Sequence, residues 1–234
     1  MALPVYLAMT AAELTLQETL PEYVAWMACH FSSYSQGLSN LPRQLPEGSM
    51  LILNDRIPIQ GQLPQVVTQQ LQQLIEDFSV CGVLLDFQRP RQESAAEMVQ
   101  AVTQALKCPV AVTEQYATDT NCAVFLEAPR AYHPLQERLK PWKGREIWLE
   151  ASYSPGTVSV TEEGSFYEPG VAFPPTLPLQ TEEKLHCTYC SQESEGCVRY
   201  YFHRTPQQLK ALLEEAQALG IKKAIGLYQE LKEW

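Results

Sequence analysis

The sequence predicts an α/β protein, a (β/α)8 barrel of the TIM type, and three observations carry that prediction. Short apolar runs rich in β-branched and aromatic residues recur along the 234 residues, and there are about eight of them, the number that closes a parallel barrel. Several are separated by stretches of clear helical period, which is the pattern of βα units. The runs end in polar residues, and a parallel barrel carries its chemistry at the C-terminal ends of its strands. With 45% hydrophobic and 19% charged residues, the chain can bury a core of this size.

The strand runs start at Pro4, Tyr23, Ser49, Cys81, Cys108, Cys122, Arg145 and Lys222. Between the third and fourth, Val67, Leu71, Leu74, Ile75 and Phe78 fall on one stripe of period 3.6, predicting a helix over 64–78. Ala95, Met98, Val99, Val102 and Leu106 do the same over 93–106. A third helix opens at Thr205, with Thr at the N-cap, Pro206 at N1 and Gln208 at N3 as a capping box, and Gly220 suits C′. The segments after the first two strands leave little room for full helices, so the early half of the barrel should be trimmed. A full eighth helix is not expected after the last strand. Between 152 and 204 the pattern breaks: TVSVTEEGSFYEP reads as a hairpin, FPPTLPLQ as a loop, HCTYCSQESEGC as a further loop and VRYYFHR as an aromatic strand. Residues 1–234 are thus expected to form one barrel domain, with 152–204 a β-rich insertion subdomain before the last helix and strand.

Charge excludes some partners. Seventeen Lys and Arg against 27 Asp and Glu leave a net charge of -10, which disfavours nucleic acid and anionic membrane surfaces. No run approaches the roughly 18 apolar residues of a spanning helix. The start, MALPVYLAMT, lacks the basic region and long apolar stretch of an export signal, so the expected location is cytoplasmic and the seven cysteines are read as reduced thiols. The 11 glycines form no phosphate-binding loop, and no cofactor is expected. His186, Cys187, Cys190, Cys197 and His203 have spacings that could hold zinc, but there is one C-x-x-C pair rather than two, and thiols without metal are the better reading.

The strand ends carry the candidate site. His30 closes the second run, Asp55 follows the third, Asp86 and Gln88 end the fourth, and Glu114, Glu127, Glu150 and Glu230 end the remaining four. Alternation sends Gly82, Leu84, Asp86 and Gln88 toward the axis, with Val83, Leu85 and Phe87 toward the helices. The same rule separates Cys29 from His30, leaving the cysteine packed against a helix. It also splits the aromatic strand, with Tyr201 and His203 on one face and Tyr200, Phe202 and Arg204 on the other, so one aromatic is buried and another is free for a ligand. His133 follows the sixth run, on a loop that could border a cleft there, but a lone loop histidine is more often simply solvated.

The run CGVLLDFQ from Cys81 to Gln88 resembles the D-G-x-D-x-D-x-E signature of family 18 glycoside hydrolases, the chitinase-like barrels, in particular their small spore-type, peptidoglycan-directed branch. IWLEASY, with Tyr153, is similar to that family's seventh strand, and the segment from Tyr200 to Leu231 is similar to its ending, where Tyr228 stands in place of a floor-forming Trp. The resemblance implies a sugar-sized axial cleft. In the family the final Glu of the motif is the general acid, and the preceding Asp orients the substrate's own acetamido group as nucleophile. Here the acid position is Gln88, an amide that cannot donate the proton. Cys81 and Leu84 replace the earlier Asp residues, and Leu126-Glu127 stands where a Tyr-Asp pair is expected.

The expectation is therefore a glycoside-hydrolase-like protein binding an N-acetylhexosamine-containing oligosaccharide in the axial cleft, with hydrolysis absent or slow. Asp86, Gln88, Glu127 and Glu230 occupy the catalytic ring, and His30, Asp55, Glu114, Glu150, Tyr153, Tyr201 and Tyr228 line the ligand. Two alternatives stand beside it: an active glycosidase using a relocated carboxylate pair among Glu127, Glu114 and Glu230, and a non-catalytic protein-interaction module docking through FPPTLPL.

Overall fold

The computed structural model describes residues 2–127, 133–153, 156–168, 174 and 176–232, together with the backbone but not the side chain of Tyr167. Eight parallel strands form a closed ring: β1 (Val5–Met9), β2 (Val24–Phe31), β4 (Met50–Asn54), β5 (Gly82–Asp86), β6 (Val110–Thr113), β7 (Ala123–Leu126), β8 (Ile147–Glu150) and β14 (Lys223–Leu227). Closure is made by β1, which pairs in parallel with both β14 and β2. The two-residue β3 (Leu38–Ser39) lies antiparallel against the end of β2. This is the expected (β/α)8 barrel.

The helices follow their sequence stripes. α2 (Pro64–Phe78) buries Val67, Leu71 and Leu74, α3 (Glu93–Ala105) buries Met98, Val99 and Val102, and α6 (Pro206–Ala218) buries Leu209, Leu212 and Leu213. The cap of α6 forms as its sequence requires: the Thr205 hydroxyl accepts from the Gln208 N–H, the Gln208 side chain reaches back, and Gly220 takes a φ of 86°. The early helices are trimmed. α1 (Ala11–Leu16) has six residues and buries none, and only β3 stands between β2 and β4. α4 (Glu114–Ala117), α5 (Leu135–Leu139) and α7 (Tyr228–Leu231) are one-turn elements after β6, β7 and β14. Among the described residues, no helix is long and apolar enough to cross a membrane.

Alternation splits the interior into two cores. Leu51, Leu53, Val83, Leu85, Val112 and Leu149 face the helices. Tyr6, Ala8, Ala25, Ile52, Leu84, Ala111, Phe125, Trp148 and Ile225 fill the axis. The axial set mixes large and very small residues because the ring has a fixed width. Trp148, fully buried, reaches across it: a Cβ on Gly82 would sit 2.8 Å from its Cη2 and 3.3 Å from the Pro109 carbonyl oxygen. The indole N–H donates to Glu146 at 2.7 Å, and the Lys223 ammonium lies 4.5 Å from the ring centroid.

A second, antiparallel sheet lies in sequence between β8 and α6, in the order β10 (Gly164–Glu168), β9 (Gly156–Thr161), β13 (Cys197–His203), β12 (Cys187–Ser194) and β11 (Gln180–Glu182). Its two ends meet at Arg204, 1% exposed, whose N–H donates to the Tyr153 carbonyl at 2.8 Å and whose guanidinium reaches the Ser152 and Leu185 carbonyls. The segment CTYCSQES, expected as loop, is a strand instead. Its register against β13 hides Cys190 and Tyr201 on one face while Tyr189 and Phe202 share the other. Alternation therefore puts Cys187 and Cys190 on opposite faces, and they cannot share a metal ion. Among the described residues, no group of three His, Cys, Asp or Glu is placed to hold one.

Gly82→Ala should lower stability by about 1–3 kcal/mol, the usual cost of overpacking a core. Trp148→Phe in the same chain should recover part of that loss, because the colliding ring edge is gone. Denaturant titration of the single and double variants measures both effects, and purely additive losses would contradict the contact.

Candidate active site

The axial core ends, at the next inward position two residues further along each strand, in a polar layer. Register places His30 beside Asn54 and Asn54 beside Asp86 on three successive strands. Ile52 and Leu84 lie on the axis just below Asn54 and Asp86, so these side chains face the barrel mouth. The same alternation from Phe125 and Trp148 brings Glu127 and Glu150 inward. Cys29 faces the helices, fully buried, and burial pushes its thiol up to about 12. A register shift between Trp26 and Cys29 is what sets His30 on the axial side. The His30 Nδ1 lies 2.9 Å from the Ala28 carbonyl, which can only accept, so in the neutral ring Nε2 is the acceptor.

Asp86 is the centre of this layer. It keeps partial exposure as a residue, while its carboxyl is packed round by protein. Gln88, on the exposed loop above, donates its amide to Asp86 Oδ1 at 2.6 Å. Burial pushes Asp86 up to about 6; the Gln88 amide works against that, and the Glu127 and Asp55 carboxylates add to it.

Asp55 acts on the loop instead of facing outward. It is 5% exposed, and its two oxygens accept the backbone N–H groups of Gln88 and Arg89, each at 3.0 Å. From the other side the Thr113 hydroxyl and the Gln115 amide donate to the Phe87 carbonyl, at 3.0 and 2.5 Å. The backbone carrying Gln88 is thus pinned on both flanks. Glu230 plays a matching part at the end of β8: it accepts the Ser152 hydroxyl at 3.0 Å and the Tyr153 N–H, tying β8 to α7. Burial, with the Glu230 carboxylate nearby, raises the Tyr153 phenol above its ordinary value.

Beside the mouth, a cleft of about 570 Å³ opens between the ends of β5, β6 and β7, lined by Gln88, Glu114, Glu127, His133 and Arg138 among others. The structure brings Gln88, Glu114 and Glu127 together here. Arg138 was not singled out from the sequence, where it reads as an ordinary charge on a short helix. It donates to the Glu114 carboxylate and to the Glu127 carbonyl, joining the exits of β6 and β7. His30, Glu150, Tyr153 and Tyr228 do not line this cleft. At the end of β14 alternation gives the axial position to Leu227, 50% exposed, and the half-buried Tyr228 opens α7. Tyr201 is 7% exposed in the second sheet, its hydroxyl donating to Gln192 at 3.3 Å. Of the FPPTLPL stretch, Phe173 and Pro175 lie outside the described residues.

No protein-family model and no curated protein matches the chain. Solved structures do. The spore cortex-lytic enzyme SleL of Bacillus cereus is 10% identical, with a TM-score of 0.56 over 96% of this chain and 70% of that one. A Glu-to-Gln variant of the class V chitinase of Nicotiana tobaccum, in complex with NAG4, is 9% identical, with a TM-score of 0.57 over 97% and 93%. A family 18 chitinase of Cycas revoluta, carrying a Gly-to-Trp and a Glu-to-Gln change and in complex with (GlcNAc)4, is 10% identical, with a TM-score of 0.56 over 96% and 94%. At these identities the likeness is one of fold.

A raised carboxyl is a stability statement. Below about pH 4 Asp86 is protonated folded and unfolded alike; between its ordinary 3.8 and about 6 the unfolded chain ionises first, so stability falls as pH rises through that window. Asp86→Asn should flatten this part of the profile and raise stability at pH 7 by on the order of 1–3 kcal/mol. Denaturant titrations from pH 4 to 7 measure it, and an unchanged profile would contradict the buried charge.

Proposed function

The chain has a chitinase-like (β/α)8 fold, and from that premise we propose that it binds an N-acetylhexosamine-containing oligosaccharide at the barrel mouth and cleaves it slowly or not at all. One observation carries the reading: Gln88, at the position of the family's acid, is held in place with its amide on Asp86. An amide in that place keeps the polar surface for a sugar but supplies no proton to a leaving oxygen. Structural neighbours whose Glu was changed to Gln are seen with an N-acetylglucosamine tetramer bound, so a barrel of this shape with such a change can hold an oligomer.

In this reading Asp86 and Gln88 hydrogen-bond the sugar, Glu127 and Glu114 form the wall of the side cleft, and His30, Glu150, Tyr153 and Tyr228 border the opening. Asp55 and Glu230 act one step back, on the backbone of the loops that carry the site. The seven free thiols suit a reducing, cytoplasmic setting, and the net charge of -10 suits an uncharged glycan better than nucleic acid or an anionic membrane.

A second reading has an observation of its own. Asp86, pushed up to about 6 by burial with the Glu127 carboxylate adding to it, is a carboxyl poised to give up a proton near neutral pH, the property an acid catalyst needs. Slow turnover by Asp86 with Glu127 would vanish in Glu127→Gln.

Isothermal titration with N-acetylglucosamine oligomers tests the main reading. Asp86→Ala should weaken binding by about 10–100-fold, the value of a hydrogen bond to a charged group. Gln88→Glu should gain hydrolysis, since the site would then hold its acid. Native-level affinity in Asp86→Ala, or turnover by the native chain that survives every change at Asp86, would overturn the assignment.

A further inference from the structure

A parallel barrel covers the outer face of its strands with helices, because that face is apolar. α2, α3 and α6 do this with 15, 13 and 13 residues, whereas beside β2 the chain supplies only the six-residue α1, which buries nothing, and the two-residue β3. The shortfall leaves a groove of about 1100 Å³ on the outside of β2, against about 570 Å³ for the cleft beside the mouth. Trp26, an outward residue of β2, lines it, with its indole N–H donating to the Asn40 carbonyl at 3.2 Å. Leu14, Leu20, Leu41, Leu45 and Pro46 complete its apolar lining.

Large apolar side chains gather here on the outside as well. Leu20 and Leu41 stand on the groove at 39% and 36% exposed, and Leu16 projects beside it at 78%. Leu16 is two residues on from Leu14, about 200° round α1, so it turns away from the groove of its own chain. An apolar patch of this extent on a chain so rich in charge marks a contact surface. Charge narrows the occupant. At a net charge of -10, two copies of the chain repel one another over most of their surfaces. Among the described residues that line the groove none is acidic and Arg43 is the one charge, while Glu13 of α1 is turned back onto Thr10 as its capping partner. This is a face where two copies can meet without setting carboxylate against carboxylate, and it offers both a groove and an exposed leucine to fill one.

We propose that this groove is the contact face of a homodimer. In a two-fold pair the same surface serves both copies, so Leu16 of each enters the groove of the other and the outer wall of β2, left open by the trimmed early helices, is covered by the second chain. The pairing does not depend on what the barrel mouth binds.

Sedimentation equilibrium of the native chain, over about a hundredfold range of concentration, tests it. The mass should move from one chain to two and stop there. Leu16→Glu, on a side chain that the fold does not pack, should weaken the association by about tenfold or more while the circular dichroism spectrum stays native. Leu41→Glu, on the opposite side of the groove from α1, should act in the same direction. Phe166→Glu removes another exposed ring, 54% exposed on the edge strand β10 of the second sheet, and should change nothing. A native chain that stays monomeric throughout overturns the proposal, as does a mass that climbs past two chains. A dimer that both leucine variants leave intact overturns it too, and one lost in Phe166→Glu alone would place the contact at the sheet edge instead.

Discussion

Closing eight parallel strands into one ring gives every strand residue a fixed side, axis or helix, and the rest of the molecule follows from that constraint. The axial space is filled by a few large groups, of which Trp148 is the largest, and their neighbours must be small: Gly82, Ala25, Ala111 and Ala123 are the matching gaps. Because inward positions recur every second residue, the next inward residue beyond the last apolar one on each strand meets the opening. His30, Asn54, Asp86, Glu127 and Glu150 are therefore a row set by geometry before any chemistry is considered.

That row would be loose without its supports. Asp55 and Gln115 hold the Phe87–Arg89 backbone from opposite flanks, Arg138 joins the exits of β6 and β7, and Glu230 joins β8 to α7. Each spends a charged or amide side chain on backbone groups that a loop leaves unpaired. The result is a mouth in which Asp86 and Gln88 are held against each other, a buried carboxyl beside an amide.

The period-2 and period-3.6 patterns made most of this readable in advance. The inward aim of Asp86, the outward burial of Cys29, the trimmed early helices and the Thr205 cap depend on neighbours within a few residues, and a sequence shows those. What depended on distant neighbours was not readable. Asp55 and Glu230 look, in sequence, like any strand-end carboxylates; only the approach of the Gln88, Arg89 and Tyr153 N–H groups turns them into clamps. Arg138 sits in a one-turn helix with nothing nearby to mark it. The strand CTYCSQES was masked by its Ser, Gln and Glu content, which reads as loop until β13 and β11 supply its pairing partners.

The most direct question about this molecule is whether its mouth holds an oligosaccharide and leaves it whole. Native mass spectrometry of the protein incubated with N-acetylglucosamine oligomers and muropeptide fragments, followed over time, tests that in one experiment. Intact adducts that persist without shorter products are the expected result. Shortened oligomers accumulating with the native chain, or no adduct with any of these ligands, would contradict it.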